Sequence, residues 1–196
     1  NEVNTNEIYD QIFLEINNII NILSKEKVLE VGTGTGEILY RLKNLTKNAC
    51  GADISKRMAI LTRQKNLNVI LYDGWTLPFG NDTFDCVVLC LVLINLPADI
   101  AKNLVREAIR VAKPNGSIFL GLLPHPERSL HPTHSGNWRT FLKKFFRINE
   151  PIQYISYDYT FFIDEFEKLG LSQVSFFPCK INLPSFNTKF HVLLNR

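Results

Sequence analysis

The sequence predicts a single α/β domain whose mostly parallel β-sheet carries helices on both faces. Up to residue 123, short apolar segments of strand length alternate with longer segments of helical periodicity. Several of the short segments are continuous apolar runs, which is typical of strands buried on both faces. A length of 196 residues suits one domain, and 45% apolar with 21% charged residues is typical of a globular protein.

Apolar residues that recur at helical spacing predict the helices. The first is an amphipathic helix over residues 6–23, and a Pro-Asn-Gly turn at residues 114–116 is expected to end the fourth. The remaining predicted helices cover residues 37–44, 56–65, 97–113, 138–146 and 162–169. The predicted strands cover residues 27–31, 49–54, 68–72, 84–91, 117–122, 172–177 and 190–194.

The regular alternation fails over residues 124–160, which hold four prolines and three of the four histidines. We interpret this segment as an insertion into the single domain, one that forms a cap over the substrate. Residues 1–24 are expected to act as an N-terminal lid helix. No internal repeat or second domain is predicted, so residues 1–196 form one domain.

Composition and charge exclude several classes of protein. The net charge of +3 is too small to indicate a nucleic-acid partner by itself. No apolar run reaches the roughly 18 residues that a membrane span needs. The four cysteines form no C-x-x-C pair, so we expect free thiols in a reduced, cytoplasmic protein. Because the chain begins at Asn1 rather than Met, the presence of a preceding leader stays open.

A glycine-rich turn follows the first predicted strand, in the segment Val28-Leu29-Glu30-Val31-Gly32-Thr33-Gly34-Thr35-Gly36. Gly32 and Gly34 let the backbone turn tightly and approach a ligand that a Cβ atom would block. A dinucleotide fold needs a third glycine where Glu37 stands, and a P-loop needs a lysine that is absent. The acid at Glu30 favours a ligand that carries positive charge.

This pattern resembles the class I S-adenosylmethionine-dependent methyltransferases, in particular the small-molecule branch typified by ubiquinone and menaquinone biosynthesis enzymes. Their first motif is an acid followed by G-x-G-x-G, matched here by Glu30, Gly32, Gly34 and Gly36. The resemblance implies a doubly wound, Rossmann-like sheet of seven strands with a late antiparallel strand. It also implies that the loop, with Thr33, passes under the methionine part of S-adenosylmethionine, while Glu30 holds the amino end. The product would be S-adenosylhomocysteine.

Two further motifs carry the resemblance, at the ends of the second and third predicted strands. By resemblance, Asp53 accepts hydrogen bonds from both ribose hydroxyls, an arrangement that suits a carboxylate. In the stretch D-G-x-x-L-P-F, Asp73 is expected to accept a hydrogen bond from the adenine amino group. The other residues implied to surround the cofactor are Ile54, Met58, Gly74, Trp75, Cys90 and Leu91.

The catalytic residues are less well defined. Relatives often place a Tyr-Asp pair in a helix over the cofactor, and Tyr9 with Asp10 matches such a pair. The alternative, an ordinary exposed tyrosine on an amphipathic helix, is an equally good interpretation. Where many relatives carry L-x-H-H-L, this chain has Leu-Ile-Asn-Leu, so Asn95 either orients a substrate oxygen or caps the next helix. His125 and His134 could supply a general base from the insertion. No metal is expected.

The expected function is methyl transfer from S-adenosylmethionine to an O, N or C nucleophile of a small-molecule acceptor. The aromatic content of the insertion favours an apolar or aromatic acceptor. Two alternatives stay open: an RNA or protein methyltransferase, and a catalytically silent protein of the same fold that binds cofactor or a partner. The chain is expected to be a monomer or a homodimer.

Overall fold

The computed structural model describes residues 5–46, 48–124, 169–181 and 189–196. The helices are α1 Thr5–Ile20, α2 Glu37–Leu45, α3 Lys56–Gln64 and α4 Ala98–Val111. The strands are β1 Lys27–Val31, β2 Asn48–Asp53, β3 Val69–Leu71, β4 Phe84–Cys90, β5 Ala112–Pro124, β6 Gln173–Pro178 and β7 Lys189–Asn195. Within this part of the chain no helix combines the length and the apolar character that crossing a membrane would require. The insertion predicted at residues 124–160 lies almost entirely outside the described residues.

The seven strands form one sheet in the order β3-β2-β1-β4-β5-β7-β6. Strands β1 to β5 pair in parallel, and β7 runs antiparallel to both of its neighbours, β5 and β6. The predicted doubly wound sheet with a late antiparallel strand is therefore confirmed. The strand order reverses between β1 and β4, which places a crevice at their carboxyl ends, where ligands of such folds bind.

The sheet separates two apolar layers. Along β1, Val28 packs with α1 and α2 on one face, whereas Leu29 and Val31 pack with α4 on the other. Because side chains alternate along a strand, both layers need apolar residues, which explains the continuous apolar runs in the sequence. Helices on both faces were predicted, and the structure confirms them.

Two predicted helix ends differ from the structure. Helix α1 ends at Ile20 because Asn21 takes a left-handed conformation (φ 55°), and a short 3-10 turn, Ile22–Ser24, follows. The prediction that residues 114–116 end α4 is wrong, because the helix stops at Val111 and these residues lie within β5. The distant Arg196 guanidinium donates to backbone carbonyls at the end of α4, a long-range contact that local sequence does not reveal.

A buried polar pair joins α1 to β7. The His191 side chain has no exposed surface, and its ring stacks on Phe119 with 5.1 Å between centroids. Its Nδ1 atom accepts a hydrogen bond from the Leu122 amide at 3.2 Å. The neutral ring therefore carries its proton on Nε2, which donates to the Glu15 carboxylate at 2.5 Å. Burial lowers the pKa of His191 below its ordinary value, and the nearby Glu15 opposes that shift.

Cys179 brings a third type of metal-binding group to this pair. The candidate ligand atoms of Glu15, Cys179 and His191 all lie within 4.8 Å of one another. A metal ion would need a lone pair on Nε2, and the Leu122 amide at Nδ1 keeps the proton on that atom. Glu15 also accepts from the Lys180 amide at 2.5 Å. These contacts make the group a hydrogen-bonded anchor that fixes α1 onto the β6–β7 end of the sheet.

We predict that His191→Phe destabilises the protein while keeping the volume of the ring. The variant leaves the Leu122 amide and the Glu15 carboxylate without their partner, which should lower the free energy of unfolding by about 2–4 kcal/mol. Urea denaturation checks the value, with Phe119→Leu as a variant that alters the stacking and keeps both hydrogen bonds. A His191→Phe protein as stable as the wild type would contradict this account.

The stability that His191→Phe loses relative to the wild type should also depend on pH. Because the pKa of His191 is lowered in the folded protein, the unfolded chain binds the extra proton first as the pH falls through about 6.5. The wild type therefore loses stability toward acid pH through this group, and the variant does not. The difference between the two proteins should shrink between pH 8 and pH 5.

Candidate functional site

A largely apolar cavity of about 210 Å³ opens at the carboxyl ends of the central strands. It lies at the point where the strand order reverses between β1 and β4. Of the residues that the sequence assigned to the cofactor, those that line this cavity are Gly32, Gly34, Asp53, Ile54, Met58, Gly74 and Leu91. Asn95, a weak catalytic candidate, lines it as well. The structure thus brings together residues from five separate parts of the chain.

The glycine loop fits against the chain that leaves β4. Gly32 has a φ of +74°, and a Cβ atom there would lie 2.5 Å from Cγ2 of Val92. Gly34 has a φ of +54°, yet a Cβ atom there would meet nothing within 4 Å, so its open side faces the cavity. The first glycine is required by packing, whereas the second leaves room for a ligand.

Gly36 has a different role from the one expected at the cofactor. It precedes α2 with a φ of +83°, and a Cβ atom there would lie 3.0 Å from Thr62 and from Leu67. Gly36 therefore gives room for Thr62 of α3 and for Leu67 in the loop after it. Thr33 is buried, and its methyl group packs where a Cβ atom on Gly51 would otherwise lie.

Asp53 at the end of β2 connects the glycine loop to α3. Its Oδ2 accepts a hydrogen bond from the Gly34 amide at 2.9 Å, and its Oδ1 accepts one from the Ser55 amide at 2.7 Å. Ser55 in turn caps α3, since its hydroxyl accepts from the Met58 amide. Burial raises the pKa of Asp53, and these hydrogen bonds oppose the shift. Each carboxylate oxygen keeps acceptor capacity beyond these bonds.

Glu30 on β1 is a buried acid with incomplete hydrogen bonding. Its side chain lies on the face of β1 toward α1 and α2, beside the cavity rather than in its lining. Among the described residues, its Oε2 atom has no hydrogen-bond partner. Burial raises the pKa of Glu30 well above its ordinary value, the charge of Asp53 adds to this, and the Leu39 amide opposes it. Among the described residues no cation lowers the pKa of either Glu30 or Asp53, so the site holds two acids without a described counter-charge.

Tyr9 lies on α1 over this part of the sheet. Its pKa is raised by burial first and then by the charge of Glu37. The Arg41 guanidinium stands 5.9 Å from the centre of the Tyr9 ring and binds Asp10 at 2.7 Å, so α1 is fastened to α2. Neither Tyr9 nor Asp10 belongs to the lining of the cavity, although the charge of Glu30 contributes to the raised pKa of Tyr9.

Three further predicted cofactor residues lie outside the cavity lining, as Glu30, Thr33 and Gly36 do. Asp73 is exposed, and its Oδ1 accepts from the amides of Trp75 and Thr76, which lower the pKa of its carboxyl. Trp75 is 49% exposed. Cys90 is buried on the face of the sheet toward α1, where burial raises the pKa of its thiol.

Asn95 belongs to the 3-10 turn Leu93–Asn95 after β4. Its Nδ2 donates to the carbonyl of Leu91 at 2.7 Å, and Leu91 has a left-handed φ of 59°. The alternative that Asn95 caps α4 is wrong, because the N-cap residue is Pro97 and no side chain caps that helix end. His125 and His134 fall outside the described residues, so their place stays a prediction.

Sequence reasoning missed part of the cavity wall. The additional lining residues are Tyr72, Val92, Leu96, Ile100 and Leu104. Tyr72 directly follows β3, and residues at the carboxyl ends of parallel strands border the ligand crevice. The strand pattern could therefore have predicted this position. Ile100 and Leu104 fit the apolar face of α4, where periodicity indicates core and does not distinguish a cavity wall.

Comparison with protein families agrees with this geometry. Residues 28–116 match a family model described as a methyltransferase domain, and this range contains the glycine loop, Asp53 and the turn after β4. This part of the chain is therefore similar to methyltransferase domains. The matched range includes every described residue that lines the cavity.

Curated proteins that this chain resembles include methyltransferases. An uncharacterised protein of Methanocaldococcus jannaschii is 34% identical over 114 residues, which is 56% of this chain and 50% of that protein. A demethylmenaquinone methyltransferase of Tropheryma whipplei is 29% identical over 119 residues, 58% of this chain and 48% of the relative. The chain spans about half the length of the curated relatives it matches.

Solved structures show the same fold. A S-adenosylmethionine-dependent methyltransferase from Archaeoglobus fulgidus superposes with a TM-score of 0.69 at 16% identity, over 96% of this chain and 94% of that one. The predicted Rossmann-like methyltransferase fold is therefore confirmed.

We predict that Gly32→Ala is more destabilising than Gly34→Ala. Both carry the backbone penalty of a left-handed alanine, roughly 1–2 kcal/mol, and only Gly32→Ala adds the overlap with Val92. Overpacking of this kind adds about 1–3 kcal/mol. Chemical denaturation of both variants measures the difference, and Gly32→Ala combined with Val92→Ala should recover part of it. Equal losses in the two single variants would contradict the packing argument.

We predict that Glu30→Gln stabilises the ligand-free protein at pH 8, by about 1–3 kcal/mol, because folding of the wild type must either bury this carboxylate charged or take up a proton. The raised pKa means that folded Glu30 holds its proton where unfolded Glu30 has lost it. Wild-type stability should therefore fall as the pH rises above about 4.5, and the variant should lack this contribution. Thermal melting at pH 5 and pH 8 checks this, with the exposed Glu26→Gln as control. A difference in Tm between Glu30→Gln and the wild type that is the same at pH 5 and pH 8 would contradict this prediction.

Proposed function

We propose that the chain is a S-adenosylmethionine-dependent methyltransferase acting on a small, aromatic, quinol-like acceptor. The observation that carries the proposal is the contact between the Gly34 amide and the Asp53 carboxylate at the mouth of the cavity. This contact sets an open glycine beside a buried acid at the switch point of the sheet. The family match supports the cofactor, and the name of the Tropheryma whipplei relative supports the acceptor class.

The residues present fit the proposed cofactor in shape and charge. The open side of Gly34 gives a chain of atoms room to lie against the backbone. Asp53 retains acceptor capacity for a pair of hydroxyl groups, and Ile54, Met58 and Leu91 offer apolar surface for a flat ring. Glu30, whose Oε2 lacks a partner among the described residues, suits a cationic amino group nearby.

When bound, a sulfonium cofactor supplies an electrophilic methyl group that passes to a nucleophile in line with the breaking carbon–sulfur bond. The protein has three tasks in this reaction. The carboxyl groups of Glu30 and Asp53 would orient the donor, the apolar side chains of the cavity would exclude water, and the cavity would hold the acceptor next to the donor. An acceptor that must lose a proton also needs a base, and among the described residues the candidate is Tyr9, whose pKa the charge of Glu30 helps to raise.

The acceptor class can be tested by methyl transfer from labelled S-adenosylmethionine to a panel of compounds. The panel holds a short-chain demethylmenaquinol, a catechol, a primary amine and a transfer RNA. We predict that the label enters the quinol, and that Asp53→Asn lowers kcat/KM by about 100-fold because a mutation that misplaces the reactants can have an effect of that size. The exposed Glu26→Gln serves as the matched carboxyl control and should retain activity.

Other outcomes would contradict the proposal in recognisable ways. Label in the transfer RNA, with binding that weakens steeply as salt increases, would indicate a nucleic-acid acceptor. Binding of S-adenosylhomocysteine without transfer to any member of the panel would point to a cofactor-binding protein and against an enzyme for these acceptors.

A further inference from the structure

The segment between β3 and β4 forms part of the cavity wall without belonging to a helix or a strand. Tyr72 and Gly74 line the cavity, and Gly74 has a left-handed φ of +83°. In the described chain, residues 72–83 belong to neither kind of element. Such a segment lacks the regular backbone hydrogen bonds that fix a strand or a helix, so side chains from other elements must hold it in place.

An ion pair on α4, formed by Glu107 and Arg110, binds the backbone of this segment. The Leu77 amide donates to Oε2 of Glu107 at 2.7 Å, and the Leu77 carbonyl accepts from Nη2 of Arg110 at 3.0 Å. Nη1 of the same guanidinium donates to the Phe79 carbonyl at 2.9 Å. The pair thus takes up three backbone groups of a segment that has no regular structure of its own.

The two side chains also hold each other in a fixed orientation. Nε and Nη2 of Arg110 donate to Oε1 and Oε2 of Glu107, both at 2.7 Å. The side chains of Arg110 and Glu107 are 29% and 15% exposed, so the pair is largely withdrawn from water. Hydrogen bonds from Arg110 lower the pKa of Glu107, which keeps its carboxyl group charged at neutral pH. A planar guanidinium can make these paired bonds together with those to the segment, whereas a lysine ammonium cannot.

Helix α4 also supplies another part of the cavity wall, through Ile100 and Leu104. Asn103 on the same helix donates through Nδ2 to the Trp75 carbonyl at 2.6 Å, and Leu77 is buried in the apolar layer that contains α4. Burial of Leu77 keeps the segment close to the helix, and the hydrogen bonds set the orientation of its backbone. One helix therefore fixes two parts of the wall relative to each other.

We propose that Glu107 and Arg110 are positioning residues, which set the affinity of the cavity for an adenosyl ligand by holding the segment around Gly74 in place. Neither side chain lines the cavity, so an effect on the ligand passes through the segment that they bind. This inference rests on the proposed function, because it needs an adenosyl ligand in the cavity. If the segment occupies its observed position in only a fraction of the molecules, the apparent affinity falls by that fraction.

The test is isothermal titration calorimetry with S-adenosylhomocysteine on the wild type and on Arg110→Lys. The variant keeps the positive charge and loses the planar group that reaches Leu77 and Phe79. We expect the dissociation constant to rise about 10-fold, as it would if the segment were correctly placed in about a tenth of the molecules. Glu107→Gln keeps an oxygen that accepts from the Leu77 amide, so it should give a smaller rise of about 3-fold. Should Arg110→Lys fail to fold, Glu107→Gln carries the same test.

Lys113→Gln is the matched control, because it separates loss of stability from loss of positioning. Lys113 binds Asp85 at 2.7 Å with side chains that are 36% and 25% exposed, so this ion pair resembles that of Arg110 in length and exposure. Asp85 also accepts from the Lys27 amide at the start of β1, which places the pair at the opposite edge of the sheet from the cavity. Lys113→Gln should lower the free energy of unfolding, measured by urea denaturation, and leave the dissociation constant unchanged.

Hydrogen exchange of peptides covering residues 72–80 shows whether the effect passes through the segment. In the ligand-free protein, exchange should be faster in Arg110→Lys than in the wild type, because the bonds to Leu77 and Phe79 are weakened. Saturating S-adenosylhomocysteine should reduce the difference between the two proteins, since a ligand stabilises the arrangement that it binds.

The inference is overturned if Arg110→Lys binds S-adenosylhomocysteine as tightly as the wild type, or if Lys113→Gln weakens binding equally. It is also overturned if the affinity of Arg110→Lys falls while exchange over residues 72–80 is unchanged, because Arg110 would then act by another route. Failure of the wild type to bind S-adenosylhomocysteine at all would refute the proposed function itself, and that result differs from each of the others.

Discussion

The close approach of two chain segments at the switch point of the sheet determines the geometry of the site. The turn after β1 lies so near the exit of β4 that Gly32 has no space for a Cβ atom beside Val92. At the exit of β4, Leu91 takes a left-handed backbone conformation. The Leu91 carbonyl accepts a hydrogen bond from Nδ2 of Asn95. The same turn directs the Gly34 amide to Asp53. One steric constraint thus fixes the cavity wall and the acid at its mouth together.

The electrostatics of the site follow from where that turn lies. Glu30 and Asp53 are buried near each other, burial raises the pKa of both, and no cation from the described part of the chain opposes this. Such an arrangement destabilises the free protein, and a bound cation would relieve it. Contacts in other parts of the fold must offset this destabilisation, and α1 makes two of them. Arg41 ties this helix to α2, and the pair of Glu15 with His191 ties it to β7.

Local sequence predicted the features that depend on spacing along the chain. The order of elements, the glycine turn and the cavity residues Asp53, Ile54 and Met58 follow from where each strand ends, because parallel strands bring their carboxyl ends to one edge. Cys90 lies away from the cavity because successive side chains along β4 point to opposite faces of the sheet. This alternation could have been applied to the sequence.

The features that sequence could not supply depend on contacts between distant segments. The end of α4 is set by Arg196, and Asp73 points its carboxylate into its own turn. Asn95 could be singled out from sequence, but the choice between capping a helix and lining the cavity depended on the left-handed turn at Leu91. The roles proposed for Glu30 and Asp53 depend on the identity of the ligand.

The most direct test of the central claim is a thermal-shift comparison of S-adenosylhomocysteine and NADH, each at about 100 times the dissociation constant expected for a genuine ligand. Binding at that level adds about 2.7 kcal/mol of stability. For a domain of this size, the account predicts that Tm rises by roughly 5–10 °C with the adenosyl ligand and stays unchanged with NADH. A rise with NADH alone would contradict the assignment of the glycine turn and its neighbouring acids to a sulfonium cofactor.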